Sequence, residues 1–489
     1  MATRLSSSTL NDLPAQVSRP AYDRSKLRAG IIHIGVGNFH RAHQAIYLDD
    51  LFALGEDHDW AILGAGIRDH DKAVRDDLLK QDCLTAVVEL DPNGLSARVC
   101  GSMIGFLDID PTVLIDGLAQ PNIKIVSLTV TEGGYFIDSV TGGIQLEHPE
   151  LRHDISNPEN PKTVFGCMLA ALVMRQQNGI EPFTIMSCDN LPGNGHVTKD
   201  VMVALANAVS QPLGTFIATN VAFPNGMVDC ITPATSDRER KIVREQFGIE
   251  DARPVVCEPF RQWVLEDNFP AGRPALEKVG VEFVEDVAPY ELMKLRILNG
   301  GHAIIAYPSA LIGLEFAHNA MAHPLISAYL RKLELDEIIP TIAEIPGVDF
   351  VDYFNTVSDR FANEAVGDTI PRLCLDGFNR QPKFILPTVK DRLDDGLSVR
   401  GLAMEVAFWA RYCLGLDEVG KNIFFKDENA NSLAKFATKA KDNPIAFLQN
   451  EVVFGNLIEN EIFCREFERA LKMIYENGTE ATLRDYLGL

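Results

Sequence analysis

The sequence has no cysteine motif and no long apolar run, and each absence excludes a class of protein. Its nine cysteines are odd in number, stand far apart and form no C-x-x-C motif, which argues against a disulfide framework or a thiolate zinc site. It also lacks an apolar run of about 18 residues, the usual minimum for a membrane-spanning helix, and an apolar leader like that of a signal peptide. We therefore expect a cytoplasmic protein that has reduced cysteines and no contact with a membrane.

Positive charge is also scarce. The chain has 45 lysines and arginines against 68 aspartates and glutamates, a formal net charge of -23. Such a chain repels nucleic-acid phosphates and anionic lipids. We expect a small-molecule partner, no nucleic-acid partner, and a monomer or weak oligomer. Because 489 residues exceed what one hydrophobic core usually spans, two domains are expected.

The first motif along the chain is GIIHIGVG, from Gly30 to Gly37. An apolar run that ends in two glycines and precedes the segment NFHRAHQAIYLDDLFALG predicts a strand, a glycine turn and a helix. Gly35 would allow a tight turn, and Gly37 would let the backbone approach a pyrophosphate, as in the dinucleotide-binding fingerprint. Position 40, where the third glycine of that fingerprint would stand, is His40. On these residues alone, nucleotide binding and an ordinary turn are equally open.

A second predicted strand, Trp60 to Ile67, runs into the charged stretch RDHD. Asp69 or Asp71 would lie where NAD-binding folds hold the ribose hydroxyls, and either would repel the 2′-phosphate of NADP. Both lie farther from the glycines than the usual spacing of roughly 20 residues, and the neighbouring Arg68 would favour NADP. A solvated turn is the alternative interpretation of this stretch.

Two later predicted strands also run into polar loops. The segment Asn122 to Phe136 is a predicted strand that carries Thr131 and Glu132 to the carboxyl end of the sheet, where ligands bind in open α/β folds. A strand from Pro182 to Ser187 feeds the loop CDNLPGNG. Within that loop Asn190 is either a turn former or a catalytic group beside a ligand crevice.

The most informative stretch is ELMKLRILNGGHAIIAYPSALIG. At about 100° per helical residue, Glu291, Lys294, Asn299 and His302 fall within an arc of roughly 140°. Apolar neighbours favour the uncharged form of a lysine, which could take a proton from an alcohol while an asparagine amide stabilises the alkoxide. The alternative is an ordinary amphipathic helix in which Glu291 and Lys294 form an i,i+3 ion pair.

This helix also marks a change in architecture. The run Asn299-Gly300-Gly301 should loosen it, and Pro308 should end it near Tyr307. The periodicity is helical from about residue 288 onward, whereas the strand, turn and helix signals lie before it. We therefore expect an α/β protein with a Rossmann-type dinucleotide-binding domain at residues 1–286, followed by a mainly α-helical substrate-binding and catalytic domain at residues 287–489.

Taken together, several segments resemble the polyol-specific long-chain dehydrogenases, the mannitol dehydrogenase family. The resemblance covers nearly the whole chain and rests on IIHIGVGNFHRAHQA, LTVTEGGY, TVFG, IMSCDNLPGNG, AFPNGMVDCITP, VCEPFRQWVLED, KVGVEFVEDVAPYELMKLRILNGGH and RLCLDGFNRQPKF. It implies zinc-free hydride transfer between NAD and carbon 2 of a polyol, with D-mannitol and D-fructose as the pair. The residues agree, since no His, Cys and Asp cluster has the spacing of a catalytic zinc site.

The resemblance also implies roles for individual residues. Lys294 corresponds to the general acid/base, Asn190 and Asn299 to the amide pair that stabilises the alkoxide, and Glu291 to the residue that passes the proton between lysine and solvent. His302, Asp229 and Arg372 correspond to substrate ligands, and Lys383 is a weaker candidate. The cofactor cradle would be Ile34, Gly35, Val36, Gly37, Asn38, Phe39, His40 and Arg41, and the family similarly lacks the third glycine.

One departure from the family pattern concerns the signature V-D-R-I. Asp229 keeps the acidic position among apolar residues, where an unpaired carboxylate would be costly, but Cys230 stands in place of the arginine. The resemblance therefore implies no role for position 230. Related arabinitol dehydrogenases or fructuronate reductases remain alternative functions, and a non-catalytic nucleotide sensor is a third.

Overall fold

The computed structural model describes residues 2–138, 142–423 and 425–489. The chain forms two compact units, one that ends at Ala288 and one that runs from Pro289 to Leu489. The first unit is α/β and the second is mainly helical, which confirms the predicted fold class.

The strands lie in the first unit. In chain order they are β1 Thr3–Arg4, β2 Val17–Ser18, β3 Ala29–Ile34, β4 Ala61–Ala65, β5 Thr85–Glu89, β6 Ser96–Cys100, β7 Met103–Phe106, β8 Ile125–Leu128, β9 Thr184–Ser187, β10 Gly226–Asp229, β11 Ile249–Glu250, β12 Val255–Cys257, β13 Gln262–Glu266 and β14 Glu282–Val284. The helices between them are α1 Asn38–Ala42, α2 Gln44–Ala53, α3 Asp69–Leu79, α4 Pro111–Leu118, α5 Pro149–Ser156, α6 Val164–Gln177, α7 Asn194–Val209, α8 Gln211–Asn220 and α9 Asp237–Phe247.

A five-stranded parallel sheet, in the order β7-β4-β3-β8-β9, organises the first unit. The order reverses at β3, because the chain adds β4 and β7 on one side of it and β8 and β9 on the other. In doubly wound sheets of this kind, ligands bind beyond the carboxyl ends of the strands at the reversal. The residues that follow β3, β4, β8 and β9 are therefore the candidates for a binding site.

Both faces of this sheet are covered, as the β-branched sequence of β3 predicts for a parallel sheet. Ile31 packs into a buried cluster that includes Trp263. The neighbouring residues Ile32 and Ile34 pack into a second cluster that includes Phe165. Since successive strand residues point to opposite faces, one apolar run supplies both cores and holds the sheet rigid beneath its carboxyl edge.

Two predicted elements differ from the observed ones. The strand that is predicted to run into a loop at Thr131 ends slightly earlier, because β8 stops at Leu128, and the loop beyond it contains a 3₁₀ turn at Glu132–Tyr135. The single helix predicted after the glycine turn is broken into α1 and α2 at His43, whose φ of -122° and ψ of -90° are not helical.

The second unit is built from helices. They are α10 Ala288–Met293, which begins one residue before the division, α11 Gly300–Leu311, α12 Ala317–Ala322, α13 Pro324–Leu333, α14 Phe350–Phe361, α15 Ile370–Leu373, α16 Gly377–Phe384, α17 Leu386–Asp394, α18 Arg400–Tyr412, α19 Ala430–Ala440, α20 Glu451–Phe454 and α21 Glu461–Leu487. Two π-helical turns, Lys294–Asn299 and Glu334–Ile338, touch each other.

Pro308 does not end the helix near Tyr307, contrary to the prediction. It lies inside α11, which continues to Leu311. A proline removes the hydrogen bond that its N–H would donate one turn earlier, but here the helix ends within one further turn, so little regular structure is lost. Tyr307, Pro308 and Leu311 are all buried, and this packing stabilises the last turn.

α18 packs against α11 and α21 and is apolar on almost every side. Glu405 lies in the middle of it and is fully buried. Burial raises the pKa of the Glu405 carboxyl to about 8, although the Nε2 of Gln381 donates a hydrogen bond to it at 2.7 Å. The folded protein therefore keeps a proton that the unfolded chain loses once the pH passes about 4.5. The contribution of Glu405 to the free energy of unfolding therefore falls as the pH rises from about 4.5 to about 8, by at most about 1.4 kcal/mol per pH unit.

We expect Glu405→Gln to remove this pH dependence, because the amide has the shape of the protonated carboxyl and never ionises. Between pH 5 and pH 7 the free energy of unfolding of the unchanged protein should fall by about 2 to 3 kcal/mol relative to the variant. Urea unfolding at the two pH values measures this difference, and the exposed Glu344→Gln is the control. A difference that stays constant with pH would mean that Glu405 is ionised in the folded protein.

Candidate active site

The turn after β3 requires glycine at one position and tolerates a side chain at another. Gly35 has φ +93°, and its N–H donates to Ala65 O at 3.2 Å. A Cβ on Gly35 would lie 2.1 Å from Thr129 O, so no side chain fits there. A Cβ on Gly37 would meet only Gly35 O, at 3.8 Å. The open space beside Gly37 fits the close approach of a dinucleotide diphosphate.

This difference yields a paired prediction. We expect Gly35→Ala to destabilise the first unit by at least about 2 kcal/mol, because the side chain collides with backbone and the φ angle is unfavourable. Gly37→Ala should leave the stability of the protein nearly unchanged and weaken dinucleotide binding, because its methyl group would occupy the space for the ligand. Thermal unfolding together with fluorescence titration separates the two effects. Unimpaired dinucleotide binding by a folded Gly37→Ala variant would place the diphosphate elsewhere.

His40 occupies the place of the third fingerprint glycine by packing a flat ring against the sheet. It stacks on His33 of β3, with ring centroids 3.4 Å apart and planes 12° from parallel. Burial lowers the pKa of His33 to about 3 and that of His40 well below its ordinary value. Both rings are therefore neutral at physiological pH. They provide the close contact between strand and helix that a glycine would otherwise allow.

The other predicted cradle residues divide by exposure. Gly37 is exposed, Gly35, Asn38 and Phe39 are half-buried, and Ile34, Val36, His40 and Arg41 are buried. Arg41 supports the turn from inside, since its Nε donates to Gly37 O at 3.2 Å and its Nη2 to Asn38 Oδ1 at 2.9 Å. Asn38 in turn donates to Thr235 Oγ1 at 2.9 Å. These bonds tether the turn to the segment before α9 and fix its shape.

At the end of β4 the two candidate carboxylates have different surroundings. Asp71 caps α3, because one of its oxygens accepts from the backbone N–H groups of Ile67 at 3.0 Å and Arg68 at 2.9 Å. Asp69 is the first residue of α3 and is exposed. Of the two carboxylates, Asp71 is thus engaged in capping the helix, whereas Asp69 is exposed to solvent.

Asp189 orders the loop after β8. It is buried and accepts from Val130 N at 3.0 Å, Thr131 N at 2.9 Å and Tyr135 Oη at 2.7 Å. These three bonds hold Thr131 at φ +66°, a strained value for a residue other than glycine, and such strain is typical of functional sites. Sequence reasoning did not distinguish this structural aspartate from a turn former, because its partners lie far away along the chain.

The remaining predicted residues of the first unit lie near strand ends. Thr131 is exposed, and the side chain of Glu132 lies outside what the structure describes. Asn190 is exposed directly after Asp189, and Asp229 is buried at the end of β10. Cys230, which replaces the family arginine, lies in an apolar cluster beside Cys257, and this contact together with burial raises the pKa of the Cys230 thiol well above its ordinary value.

In the second unit, the predicted catalytic helix contains a π-helical turn from Lys294 to Asn299. Lys294 begins this turn and is only 7% exposed, and Glu291 lies in the preceding helix, half-buried. Arg296 anchors the turn, because its Nη1 donates to Thr341 O at 3.0 Å and its Nη2 bonds to Asp391. The irregularity thus comes before the glycines that were expected to loosen the helix.

The π-helical turn changes which side chains share a face. A helix with i→i+5 bonds advances by roughly 80° per residue instead of about 100°. With that ideal geometry, Glu291, Lys294, Asn299 and His302 fall within roughly 80° of arc instead of roughly 140°. π-helical turns occur frequently at functional sites, and this one concentrates the polar groups on a narrower face.

His302 presents a group available for hydrogen bonding. Its buried Nε2 has no partner among the described residues, and Asn299, at the end of the π-helical turn, is half-buried. The His302 ring stacks on Phe361, with centroids 4.2 Å apart. Gly301 permits this stacking, because a Cβ there would press to 3.1 Å from the Phe361 ring.

Three arginines lie close enough to His302 to lower its pKa. Burial, then Arg372, Arg360 and Arg380, lowers the pKa of His302 well below its ordinary value, so the imidazole is neutral at physiological pH. Arg372 is half-exposed and pairs with Asp368. Lys383 is exposed in the last turn of α16, whereas Arg380, on the same helix, lies near His302.

Sequence reasoning missed Arg360 and Arg380. Arg360 has a recognisable signal, because it continues the buried apolar stripe of Tyr353, Val357 and Phe361 on α14, and a buried cation on such a stripe needs a partner or a function. Arg380 has no such signal, since its neighbourhood depends on how α16 packs against the π-helical turn.

No three His, Cys, Asp or Glu side chains among the described residues come together as a metal-binding group. None of the helices in that part of the chain is both long enough and apolar enough to span a membrane.

The glycine turn on a doubly wound sheet defines a Rossmann-type first domain, and the similar proteins described below show that the class is a dehydrogenase. The chain belongs to the mannitol dehydrogenase family. The family's Rossmann domain matches residues 29–278, and its C-terminal domain matches residues 286–475.

Individual relatives agree with this assignment. The mannitol 2-dehydrogenase of Cereibacter sphaeroides is 53% identical over 96% of this chain and 99% of its own length. A mannitol 2-dehydrogenase of Aspergillus fumigatus is 40% identical over 97% of this chain and 96% of its own.

Solved structures match over nearly the full length as well. The Pseudomonas fluorescens mannitol 2-dehydrogenase, solved as a ternary complex with NAD and D-mannitol, has a TM-score of 0.87 and 44% identity and covers 99% of this chain and 100% of its own. A D-sorbitol dehydrogenase in substrate-free form has a TM-score of 0.92 and 35% identity and covers 98% of this chain and 100% of its own.

Proposed function

We propose that this protein interconverts D-mannitol and D-fructose with NAD, and that Lys294 acts as the general acid/base without a metal ion. The observation that carries the proposal is the buried Lys294 at the start of a π-helical turn, and the ideal geometry of such a turn favours a common face for Lys294, Asn299 and His302. The high identity to a relative named mannitol 2-dehydrogenase supports the choice of substrate.

The first unit would hold the cofactor. Gly35, Gly37 and Asn38 would cradle the diphosphate, and the exposed Asp69 would accept hydrogen bonds from the adenosine ribose. The open space beside Gly37 and the fixed shape of the turn fit such a ligand. When bound, NAD⁺ accepts the hydride that leaves carbon 2 of the polyol.

Lys294 would take the proton of the reacting hydroxyl. The uncharged Nζ accepts this proton as the carbon–oxygen bond becomes a carbonyl, and the side-chain amides of Asn190 and Asn299 donate hydrogen bonds to the oxygen as negative charge develops on it. Glu291, three residues before Lys294, would pass the proton to solvent. In the direction of fructose reduction, Lys294 returns a proton to the same oxygen.

The substrate hydroxyls need further partners. His302 can bond to a hydroxyl through its unpartnered Nε2, and because burial and the nearby arginines lower its pKa, the neutral ring can donate or accept this bond according to its tautomer. Asp229 and Arg372 are proposed to bind other hydroxyls, and Lys383 remains the weaker candidate. A site built to pair with hydroxyls rejects analogues that leave its polar groups unpaired.

The proposal extends to the cellular setting. All nine cysteines are free, which fits a reducing compartment, and we propose that the protein acts in the cytoplasm as a monomer or weak oligomer. Size-exclusion chromatography with light scattering tests the second statement.

The function is tested by measuring kcat/KM for both directions with purified protein. We expect oxidation of mannitol with NAD⁺ and reduction of fructose with NADH to exceed the corresponding reactions with arabinitol, xylulose, sorbitol and fructuronate. A clear preference for fructuronate would move the protein to the sugar-acid reductases, and a preference for sorbitol would favour the activity named for the second solved relative. Equal kcat/KM with NADPH and NADH would contradict the cofactor assignment.

Metal independence is tested with the same assay. Since a lysine and two amides supply proton transfer and charge stabilisation, prolonged dialysis against EDTA should leave kcat unchanged. Loss of activity on dialysis and its restoration by added zinc would contradict the mechanism.

A further inference from the structure

An ion pair at the end of β4 bears on the choice between NAD and NADP. Arg68 follows the strand and stands at the start of α3. Its Nη1 donates to one carboxylate oxygen of Glu150 at 2.6 Å, and its Nη2 donates to the other at 2.8 Å. Both arms of the guanidinium are thus engaged by a single carboxylate from α5.

Arg68 lies where it would matter for a 2′-phosphate. In Rossmann folds the end of the second strand faces the adenosine ribose, and an arginine there accommodates the 2′-phosphate of NADP. The backbone of Arg68 is fixed, because its N–H donates to the Asp71 carboxylate that caps α3. Its side chain remains 49% exposed, so an incoming ligand could reach it.

We propose that Glu150 is a specificity-determining residue, which excludes dinucleotides with a 2′-phosphate by occupying Arg68. This inference rests on the proposed NAD-dependent function and adds a residue to it. Asp69 repels the 2′-phosphate directly, whereas Glu150 withholds the cation that would attract it. The carboxylate of Glu150 and the phosphate compete for the Nη1 and Nη2 donors of Arg68, and the bound carboxylate neutralises the positive charge that would attract the phosphate and repels it.

The charge states of the pair fit this role. The hydrogen bonds from Arg68 hold the pKa of Glu150 below its usual value, and Glu150 raises the pKa of Arg68. The pair is therefore fully ionised at physiological pH. Because both side chains are partly exposed, the pair contributes little to stability, and variants of either residue should fold.

The test measures binding directly. Four proteins are compared: the unchanged protein, Glu150→Gln, Arg68→Leu and the double variant. Each is titrated with NADH and with NADPH, and the fluorescence of the reduced nicotinamide reports binding. Glu150→Gln should lower the Kd for NADPH roughly tenfold and leave the Kd for NADH within about twofold. Competition by 2′,5′-ADP should strengthen in parallel, since this probe carries the 2′-phosphate without the nicotinamide.

The other variants separate release of Arg68 from a simple loss of negative charge. Arg68→Leu alone should hardly change NADPH binding, and in the double variant it should abolish the gain. Glu147→Gln is the matched control, because it removes a negative charge three residues before Glu150 without releasing Arg68. Glu147 is 91% exposed, and its carboxylate lies 3.6 Å from Arg152 Nη1. It should leave the ratio of the two Kd values unchanged. The gain in Glu150→Gln should shrink at high salt, as expected for exposed charges.

Three outcomes would overturn the inference. They are an unchanged NADPH Kd in Glu150→Gln, a gain that persists in the double variant, and an equal gain in Glu147→Gln. Each would leave the proposed function intact as long as the unchanged protein binds NADH and oxidises mannitol. Failure of the unchanged protein to bind NADH would instead overturn the proposed function, and the inference with it.

Discussion

Lys294→Ala is expected to lower kcat for mannitol oxidation by about 10² to 10⁴-fold, the usual contribution of a general acid/base. NADH binding should stay nearly unchanged, because the predicted cradle is formed by residues of the first unit and Lys294 belongs to the second. Steady-state kinetics and NADH fluorescence titration on the same preparation measure the two effects. Lys332→Ala, which removes a half-buried lysine that pairs with Asp336 at 2.7 Å, is the control and should keep full activity.

A conservative variant distinguishes proton transfer from the need for a positive charge. Lys294→Arg keeps the charge, but a guanidinium does not deprotonate in proteins. It should therefore be nearly as inactive as Lys294→Ala in oxidation. Activity close to that of the unchanged protein in either variant would return this stretch to an ordinary amphipathic helix.

The pH profile provides an independent check on the same lysine. Oxidation needs the uncharged amine, so kcat should rise with pH through one ionisation, and this ionisation should be absent from the residual activity of Lys294→Ala. His302 cannot account for it, because burial and the nearby arginines hold the pKa of His302 well below its ordinary value. An unchanged pH profile in Lys294→Ala would assign the ionisation to another group.

Asn299→Ala is expected to lower kcat by about 10² to 10³-fold, as does the loss of one donor to a developing oxyanion. Asn299 is half-buried at the end of the π-helical turn, and its amide is proposed to serve the substrate and not the fold. The free energy of unfolding should therefore change by less than about 0.5 kcal/mol. Kinetics and urea unfolding of the same variant test both statements.

Asn319→Ala is the matched control for this variant. The Asn319 side chain accepts from Phe316 N at 3.2 Å at the start of α12, which is a structural role. Its loss should cost about 0.5 to 1 kcal/mol of stability and leave kcat unchanged. The opposite pattern, in which Asn299→Ala destabilises the protein and turns over normally, would make Asn299 a structural residue.

Local patterns predicted much of the fold and part of the site. The glycine turn at Gly35 was predictable because it needs a φ that other residues rarely adopt. Strand β3 was predictable because a continuous β-branched run fits a strand that is buried on both faces. The buried position of Lys294 followed from the apolar residues around it. These features depend on neighbours within a few residues, so their physical causes are already present in the order of the amino acids.

The tertiary structure decided the features that depend on distant partners. Arg68 and Glu150 are separated by 82 positions, so no local pattern pairs them. The protonation of Glu405 depends on how completely α18 is enclosed, and the arginines near His302 depend on how α14 and α16 pack. The π-helical turn at Lys294 is anchored by Arg296 to Thr341 and Asp391. Sequence periodicity assumes a regular helix, and only this packing replaces one turn of it with a wider one that brings the candidate catalytic groups onto one face.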